Sequence, residues 1–238
     1  MGIRITELGW RATPMGEISL RRRRDPVSGG DVYEIKLDDE YLMSSLFTVA
    51  EVEVARLALA ELTGTDLDVA VGGLGLGYTA RTVLENSAVR SLVVVEAIGE
   101  VIEWHQQGLI PAGAALAADE RCRLVHGDFF ALAGGDGFDP EAPGRRFDAV
   151  VVDIDHSPSQ VLHPGHAPFY EPAGLLRLTG HLRPGGVFSL WSNDPPDPAF
   201  VAVLAQVFAE ARAEVIRFPN PLQDREATNT VYLARTTA

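Results

Sequence analysis

The stretch that decides the fold is Asp66-Leu-Asp-Val-Ala-Val-Gly-Gly-Leu-Gly-Leu-Gly-Tyr-Thr-Ala80. Its apolar start predicts a buried strand, its glycines a sharp turn, and Tyr78 the beginning of a helix. Gly73, Gly75 and Gly77 allow the backbone to approach a ligand, and a helix start points free N–H groups at it. A nucleotide-like ligand would suit this turn, although the spacing G-x-G-x-G differs from the dinucleotide pattern and a purely structural turn explains the same residues.

An acidic residue follows the turn at a suitable distance. Ser91-Leu-Val-Val-Val-Glu96 is an apolar strand that ends in a carboxylate, and Glu96 lies 19 positions beyond Gly77. In nucleotide-binding βαβ units an acidic residue about 20 positions past the glycine turn accepts hydrogen bonds from ribose hydroxyls. The alternative is a solvent-facing Glu at a strand end. The shared register of the two features favours ribose binding.

A third strand also ends in an acidic residue. Arg121-Cys-Arg-Leu-Val-His-Gly-Asp128 places Asp128 where a carboxylate can meet the amino group of an adenine, and Phe129 and Phe130 follow as possible walls for the base. Asp128 is also suited to cap the next helix, and the two roles are compatible. We therefore expect Asp128 and Phe129 to join the glycines and Glu96 in a cofactor site.

The fourth strand leads into the candidate catalytic residues. Phe147-Asp-Ala-Val-Val-Val-Asp153 is followed by Ile154-Asp-His-Ser-Pro158, so Asp153, Asp155 and His156 should face the same crevice as the glycine turn. Asp153 is predicted to orient a substrate, and Asp155 or His156 to accept a proton. A simple turn residue is the alternative for Asp155.

The remaining candidates follow in the second half of the chain. A fifth strand, Val187 to Trp191, ends at Ser192-Asn-Asp194, which places Asn193 and Asp194 at a predicted substrate mouth. His156, His163 and His166 lie within eleven positions, but loop histidines without a clear ligand geometry are usually surface groups, so we predict no metal site. Helices are predicted over residues 169 to 181 and 198 to 211, with a turn at 183 to 186 between the first of them and the fifth strand. Residues 134 to 146, rich in Gly, Pro and Asp, are predicted to form a surface loop.

Composition limits the partners and the compartment. The 238 residues contain 20 Lys and Arg against 33 Asp and Glu, a net charge of −13 that argues against nucleic acid and anionic membranes as partners. The single Cys122 excludes an internal disulfide, and no apolar run is long enough to suggest a membrane span. We therefore expect a cytoplasmic protein that acts on a small molecule.

The first part of the chain differs from the rest. Residues 1–47 alternate apolar and polar side chains between turn signals, which predicts a small antiparallel β-unit, and residues 48–238 then form the larger domain. Arg21-Arg-Arg-Arg24 is either an anion-binding patch or, more simply, the solvated face of a strand. A helix is predicted from Thr48 to Leu62, with Thr48 as its cap.

The order of these motifs resembles the spermidine synthases over nearly the whole chain. The residues that carry the resemblance are Leu37-Asp38, Val71-Gly-Gly-Leu-Gly-Leu-Gly77, Val93-Val-Val-Glu96, His126-Gly-Asp128, Phe147-Asp-Ala-Val-Val-Val-Asp153, Phe169-Tyr170 and Leu182-Arg-Pro-Gly-Gly186. The resemblance implies an α/β fold of the class I S-adenosylmethionine-dependent methyltransferase type. This is a Rossmann-like, seven-stranded, mostly parallel sheet with helices on both faces, preceded by the small β-unit. It also implies a homodimer, with Glu96 on the ribose and Asp128 on the adenine of the cofactor.

The departures from that family affect its amine site. The family binds decarboxylated S-adenosylmethionine with an Asp in a G-G-G-D-G-G turn, and Gly75 stands at that position. The family's Gln falls on Leu42, its Asp-Glu pair on Phe47 and Thr48, and its Tyr-Gln pair on Glu51 and Val52. Its D-S-S-D-P corresponds to Asp153-Ile-Asp-His-Ser-Pro158, so the first Asp is retained while the second matches Asp155 or His156.

Three functional hypotheses follow from these residues. The first is methyl transfer from S-adenosylmethionine to an unidentified small acceptor, because bare glycine N–H groups at a helix start suit the carboxylate of the intact cofactor. The second is aminopropyl transfer from decarboxylated S-adenosylmethionine to an amine, with Glu51, Glu53 and Asp153 as substitute cation-binding groups. The third is a non-catalytic protein that binds an adenosyl nucleotide.

Overall fold

A computed structural model describes residues 5–220 and 225–238 of the chain. Residues 1–4, which belong to the predicted small β-unit, and residues 221–224 lie outside the described residues. Within the described part, two sheets are formed, one small and antiparallel and one large and mostly parallel.

The small sheet is an antiparallel meander at the start of the chain. Its strands are β1 (Ile5–Thr13), β2 (Gly16–Arg24), β3 (Asp31–Leu37) and β4 (Glu40–Ser44), and they pair in the order β1-β2-β3-β4. The apolar residues Ile18, Leu20 and Ile35 are buried and face the large domain, whereas neighbouring arginines of β2 face acidic side chains. The predicted antiparallel unit is confirmed, and its boundary at residue 47 stays a prediction.

The large sheet has seven strands in the order β10-β11-β9-β8-β5-β6-β7. The strands are β5 (Leu67–Gly72), β6 (Val89–Glu96), β7 (Cys122–His126), β8 (Phe147–Val152), β9 (Leu182–Ser192), β10 (Glu210–Asn220) and β11 (Arg225–Arg235). β5, β6, β7, β8 and β9 are parallel, and β11 lies antiparallel to both β9 and β10. This confirms the predicted fold class.

Helices cover both faces of the large sheet. They are α1 (Val49–Ala60), α2 (Tyr78–Glu85), α3 (Gly99–Gln106), α4 (Gly113–Ala118), α5 (Phe129–Ala133), α6 (Pro172–Thr179) and α7 (Pro198–Leu204), with a 3₁₀ helix over Pro164–Tyr170. Side chains of successive strand residues point to opposite faces. Val71 belongs to the core cluster that includes residues of α1 to α4 and of the small sheet, whereas Ala70 belongs to the cluster that includes residues of α5, α6 and α7. No helix in the described ranges is long and apolar enough to cross a membrane.

Three local predictions are wrong. The helix predicted over residues 169 to 181 is divided, because Pro172 starts α6 and holds the preceding Glu171 in an extended conformation. The helix predicted to residue 211 ends at Leu204, and the chain from Glu210 pairs with β11 instead. The turn predicted at residues 183 to 186 lies inside β9. The loop predicted over residues 134 to 146 is present between α5 and β8 and is mostly exposed, although Phe138 within it is fully buried in the core.

Candidate active site

A cavity of about 450 Å³ lies at the carboxyl ends of the parallel strands, between the large sheet and the small one. Parallel α/β sheets bind their ligands at this edge. Its lining includes the glycine turn after β5, the end of β6, the residues that follow β7 and β8, the first turn of α1, and apolar side chains of the small sheet. Among the described residues that line it, none is a lysine or an arginine.

The glycine turn brings the backbone closer than a side chain would permit. Gly73 has φ +91°, and a Cβ there would lie 2.2 Å from the carbonyl oxygen of Asp153. Gly75 has φ +46°, and a Cβ there would lie 2.9 Å from Sδ of Met43 on β4. The turn is therefore shaped by close packing against β8 and the small sheet, and the space for a side chain at position 75 is occupied by a methionine.

Most amides of this turn already have partners. The Gly73 amide donates to the Val95 carbonyl (2.9 Å), the Leu74 amide to Glu96 Oε2 (2.9 Å), the Leu76 amide to Met43 Sδ (3.2 Å), and the Gly77 amide to the Leu74 carbonyl (2.8 Å). An anion at this turn would need free amides. The turn therefore offers little to a ligand carboxylate.

Glu96 closes β6 as predicted, and its side chain lines the cavity. Its two carboxylate oxygens each accept a backbone hydrogen bond of 2.9 Å, from Leu74 and from Ile98. Burial raises the pKa of Glu96, and these hydrogen bonds counteract part of that rise. Because each carboxylate oxygen can accept a second hydrogen bond, the geometry is compatible with the ribose role, which stays a prediction.

Asp128 caps α5, and an aromatic wall lies beside it. Its Oδ1 accepts hydrogen bonds from the amides of Phe130 (2.9 Å) and Ala131 (3.3 Å), so the predicted helix cap is present. Phe129 is buried and stacks on Phe138 with a centroid distance of 4.7 Å, while Phe130 stacks on His166 at 3.9 Å. The cavity is lined by Asp128, Phe129, Phe130 and His166. The adenine role of Asp128 and Phe129 stays a prediction.

Two neighbouring carboxylates line the cavity. Glu51 in the first turn of α1 and Asp153 after β8 both line it. The Thr79 hydroxyl lies between the two residues, with Oγ1 2.7 Å from Asp153 Oδ2 and 3.2 Å from the main-chain carbonyl oxygen of Glu51. Burial and the neighbouring charge of Asp153 raise the pKa of Glu51 to about 8, and burial raises the pKa of Asp153 to about 6. Such a pair has a high affinity for a cation or a proton.

Asp155 lies behind the cavity and does not line it. Its carboxylate is fully buried and accepts hydrogen bonds from the Leu162 amide (2.7 Å), the Tyr170 hydroxyl (2.8 Å) and, at 2.8 Å, from Nδ1 of His166. This placement favours a role for Asp155 in holding the loop after β8 in position, rather than a role as the base. His156 does line the cavity, and its carbonyl accepts from the Asn193 amide (2.7 Å).

Asn193 and Asp194 are not among the residues that line the cavity. Asn193 Oδ1 accepts from Asn229 Nδ2 (3.1 Å), and the Asp194 carbonyl accepts from the Thr230 hydroxyl (2.6 Å). The Asp194 carboxylate lies 3.2 Å from Nε2 of Gln160. These contacts connect the end of β9 to β11 and to the loop after β8. They give no support to a substrate-binding role for Asn193 and Asp194, which stays a prediction.

Four cavity or turn residues were not found from the sequence as parts of this site. They are Met43, Thr79, His105 and His166. His105 is fully buried in α3, and its Nε2 lies 2.8 Å from the Gly75 carbonyl oxygen, while burial lowers its pKa. The first turn of α2 after the glycines was a usable signal for Thr79, whereas Met43 reaches the turn from 33 positions away.

The fold and this cavity define the chain as an α/β protein with a class I methyltransferase-like sheet and an acidic site at its carboxyl edge. In sequence it is similar to polyamine aminopropyltransferase 2 of Pseudomonas aeruginosa, with 30% identity over 156 residues, which make up 61% of this chain and 41% of that protein. It is also 30% identical to the polyamine aminopropyltransferase of Pyrobaculum neutrophilum over 151 residues, 60% of this chain and 49% of that protein. The matches thus span less than half the length of these relatives. No family model matches the sequence.

Solved structures extend the likeness to almost the whole fold. The spermidine synthase of Thermotoga maritima superposes with a TM-score of 0.73 at 17% identity, covering 96% of this chain and 72% of that one. A spermidine synthase in complex with the transition state analogue AdoDATO gives 0.71 at 16% identity with the same coverage. At these identities the structures show the shared fold. Together with the sequence matches, they confirm the predicted resemblance to the spermidine synthase-like family.

The prediction of methyl transfer is wrong. The relatives in sequence are polyamine aminopropyltransferases, and the structural neighbours are spermidine synthases. The physical error was to treat the amides of the glycine turn as free for a carboxylate, when most of them already have partners. The nearby carboxylates of Glu51 and Asp153 would also repel the carboxylate of intact S-adenosylmethionine.

Proposed function

We propose that this chain transfers the aminopropyl group of decarboxylated S-adenosylmethionine to an amine. The observation that carries the proposal is the Glu51–Asp153 pair, because two half-buried carboxylates share a cavity whose described lining contains no lysine or arginine. Asp153 is ionised at neutral pH, whereas Glu51, with a pKa of about 8, ionises fully only when a cation lies beside the pair, so the pair has a high affinity for a cationic partner. Decarboxylated S-adenosylmethionine supplies one as its primary ammonium, and it lacks the carboxylate that the intact cofactor would bring.

The reaction needs an uncharged amine and a proton acceptor. The nitrogen lone pair of the acceptor attacks the methylene carbon bonded to the sulfonium, a C–N bond forms, the C–S bond breaks, and its electrons stay on sulfur in the departing methylthioadenosine. The new ammonium then gives a proton to a carboxylate. We assign this proton to Asp153, because a pKa of about 6 leaves it ionised at neutral pH and close enough to neutrality to accept a proton.

The rest of the cavity is suited to the adenosyl group. Glu96 retains acceptor capacity for ribose hydroxyls, and Asp128 lies beside the Phe130–His166 stack, where a base can be held between polar and aromatic groups. Asp155 would act indirectly, by holding His166 and the loop against Phe130. In this assignment the protein contributes mainly positioning and charge compensation.

Calorimetry with the full chain and a product assay test the proposal together. We expect decarboxylated S-adenosylmethionine to bind at least tenfold more tightly than the intact cofactor, and methylthioadenosine to appear by mass spectrometry when amines are added. Glu51→Gln should lose most of that preference. Glu53→Gln is the matched control, because Glu53 lies on the same helix but pairs with Arg56.

Two results would contradict the proposed aminopropyl transfer. Tighter binding of the intact cofactor, or S-adenosylhomocysteine as the product, would contradict aminopropyl transfer. Binding of decarboxylated S-adenosylmethionine without turnover of any amine would instead favour the non-catalytic nucleotide-binding hypothesis.

Assembly and location belong to the same proposal. We propose that the chain acts as a cytoplasmic homodimer on a small-molecule acceptor, without nucleic acid or membrane partners. The supports are the resemblance to the spermidine synthases, which usually assemble as dimers or tetramers, and the net charge of −13. Light scattering of the purified chain tests the dimer, and a monomer at micromolar concentration would contradict it.

A further inference from the structure

Among the residues that the structure describes, those that the small sheet contributes to the cavity wall are all apolar. Its cavity-lining side chains come from the β1–β2 turn, from β3 and from β4, and they are Met15, Ile35, Leu37, Leu42 and Met43. This wall lies opposite the carboxyl ends of the large sheet. Any part of an acceptor that extends toward the small sheet therefore meets methyl and thioether groups.

Two carboxylates of the small sheet, Glu34 and Asp38, have partners outside the cavity. Glu34 is buried and accepts from Arg23 Nε at 2.7 Å and from Arg21 Nη2 at 3.4 Å. Asp38 Oδ1 accepts from the Glu17 amide at 2.8 Å. No charged residue of the small sheet lines the cavity within the described range 5–47, so this part of the sheet provides no counter-ion to a ligand there.

The acids that do line the cavity can be assigned in turn. Among the described residues they are Glu51, Glu96, Asp128 and Asp153. Glu96 is bound to the glycine turn and Asp128 caps α5 beside the aromatic wall, both on the side assigned to the adenosyl group. Only Glu51 and Asp153 then remain for the donor's ammonium and for the reacting nitrogen of the acceptor.

We propose that the acceptor is a monoamine with an apolar body, held by its one nitrogen at the Glu51–Asp153 pair and by its hydrocarbon part against the wall of the small sheet. This inference rests on the proposed aminopropyl transfer. It departs from a diamine acceptor, whose second ammonium would have to lie among leucine, isoleucine and methionine side chains. A desolvated ammonium without a counter-ion is strongly disfavoured there, whereas a methyl group gains from burial.

Two amines of equal size separate these possibilities. With the full chain and decarboxylated S-adenosylmethionine, kcat/KM is measured for n-hexylamine and for 1,5-diaminopentane, which differ only in a terminal methyl against a terminal ammonium. We expect hexylamine to be preferred at least tenfold, with methylthioadenosine and the aminopropylated amine identified by mass spectrometry. A preference for the diamine, with methylthioadenosine still formed, would overturn this inference and leave aminopropyl transfer standing.

A variant of the wall tests the physical cause. Leu42→Glu adds a carboxylate at a half-buried lining position and should shift the ratio of the two kcat/KM values at least tenfold toward the diamine. Leu42→Gln has the same length without the charge and should leave hexylamine preferred. An unchanged ratio in Leu42→Glu, with a circular dichroism spectrum like that of the parent, would contradict the proposed position of the hydrocarbon part.

Failure of aminopropyl transfer has its own signature. If neither amine yields methylthioadenosine, the affinities of the donor-loaded protein for the two amines are compared by calorimetry. Tighter binding of hexylamine would then support the apolar acceptor site even though the reaction is wrong. Equal binding, or tighter binding of the diamine, would overturn the inference as well.

Discussion

Asp68, near the amino end of β5, and Asp153, beyond the carboxyl end of β8, belong to the same sheet and have opposite surroundings. Asp68 is fully buried and bound by Arg90, Arg145 and Arg183, with closest distances of 2.5 to 2.9 Å. Asp153 has the Thr79 hydroxyl as its hydrogen-bond donor and Glu51 as its charged neighbour.

The pKa values of the two carboxyls reflect this difference. Burial alone would raise the pKa of Asp68, but hydrogen bonds from Ser91, Arg90 and Arg183 outweigh burial and lower it. Burial raises the pKa of Asp153, and the Thr79 hydrogen bond offsets only part of the effect. Arginines thus neutralise the amino edge of the sheet inside the protein, whereas the carboxyl edge is left for a ligand to neutralise.

The largest expected effect is at the carboxyl edge. Asp153→Asn removes the proposed proton acceptor and should lower kcat about 10²- to 10⁴-fold, while thermal stability at pH 7 is unchanged or higher because the amide carries no charge. Steady-state kinetics with decarboxylated S-adenosylmethionine and a melting curve measure the two quantities. Asp148→Asn, at the amino end of the same strand, is the control and should keep its kcat. An Asp153→Asn variant that keeps the kcat of the parent would contradict the proposed catalytic role of the carboxyl edge.

The next effect is at the amino edge and concerns stability. Asp68→Asn leaves three arginines close together without their shared carboxylate, so the free energy of unfolding should fall by about 3 kcal/mol, as for other broken buried pairs. Urea denaturation at pH 7 measures it. Enzymatic activity well below the melting temperature should be retained. A loss of activity with unchanged stability would contradict the assignment of the amino edge to stability and of the carboxyl edge to function.

The third expected effect concerns the buried carboxylate of Asp155. Asp155→Asn replaces one acceptor oxygen by a donor, so at least one of its three donors loses its partner, at a cost of about 1 to 3 kcal/mol. Because Asp155 does not line the cavity, kcat should change far less than in Asp153→Asn. Tyr170→Phe is the partial control, since it removes only one of the three hydrogen bonds. A kcat as low as that of Asp153→Asn would restore Asp155 as a candidate base.

The sequence predicted the carboxyl edge far better than the amino edge. Glu96 and Asp153 close apolar strands, and parallel topology alone places such strand ends together. No role was predicted for Asp68, because its arginine partners lie 22 to 115 positions away along the chain. Ion pairs between distant segments leave no local periodicity to detect.

Loops limited the prediction of the site in a similar way. Alternation along a strand fixes which residues face the core, but the direction of Asp155, Asn193 and Asp194 depends on how their loops cross the sheet edge. Glu51 was a candidate through the family comparison, and the structure explains why it differs from Glu53, which pairs with Arg56 on the helix surface. The pairing of Met43 with the glycine turn requires the two sheets to be docked, which no local pattern encodes.

The smallest effect is a pH dependence that reports on Glu51. Burial and the charge of Asp153 raise its pKa from 4.5 to about 8, so between these values the folded state holds a proton that the unfolded state has released. Stability should therefore fall as pH rises through this window, by a fraction of the ~1.4 kcal/mol per pH unit that one full proton gives, since the side chain is only half-buried. Glu51→Gln should flatten this part of the curve and be more stable than the parent at pH 8. Urea denaturation at pH 5, 6.5 and 8 measures the slopes, and Glu53→Gln should keep that of the parent. Equal slopes in Glu51→Gln and the parent would contradict the raised pKa of Glu51 and the close approach of the two carboxyl groups from which it arises.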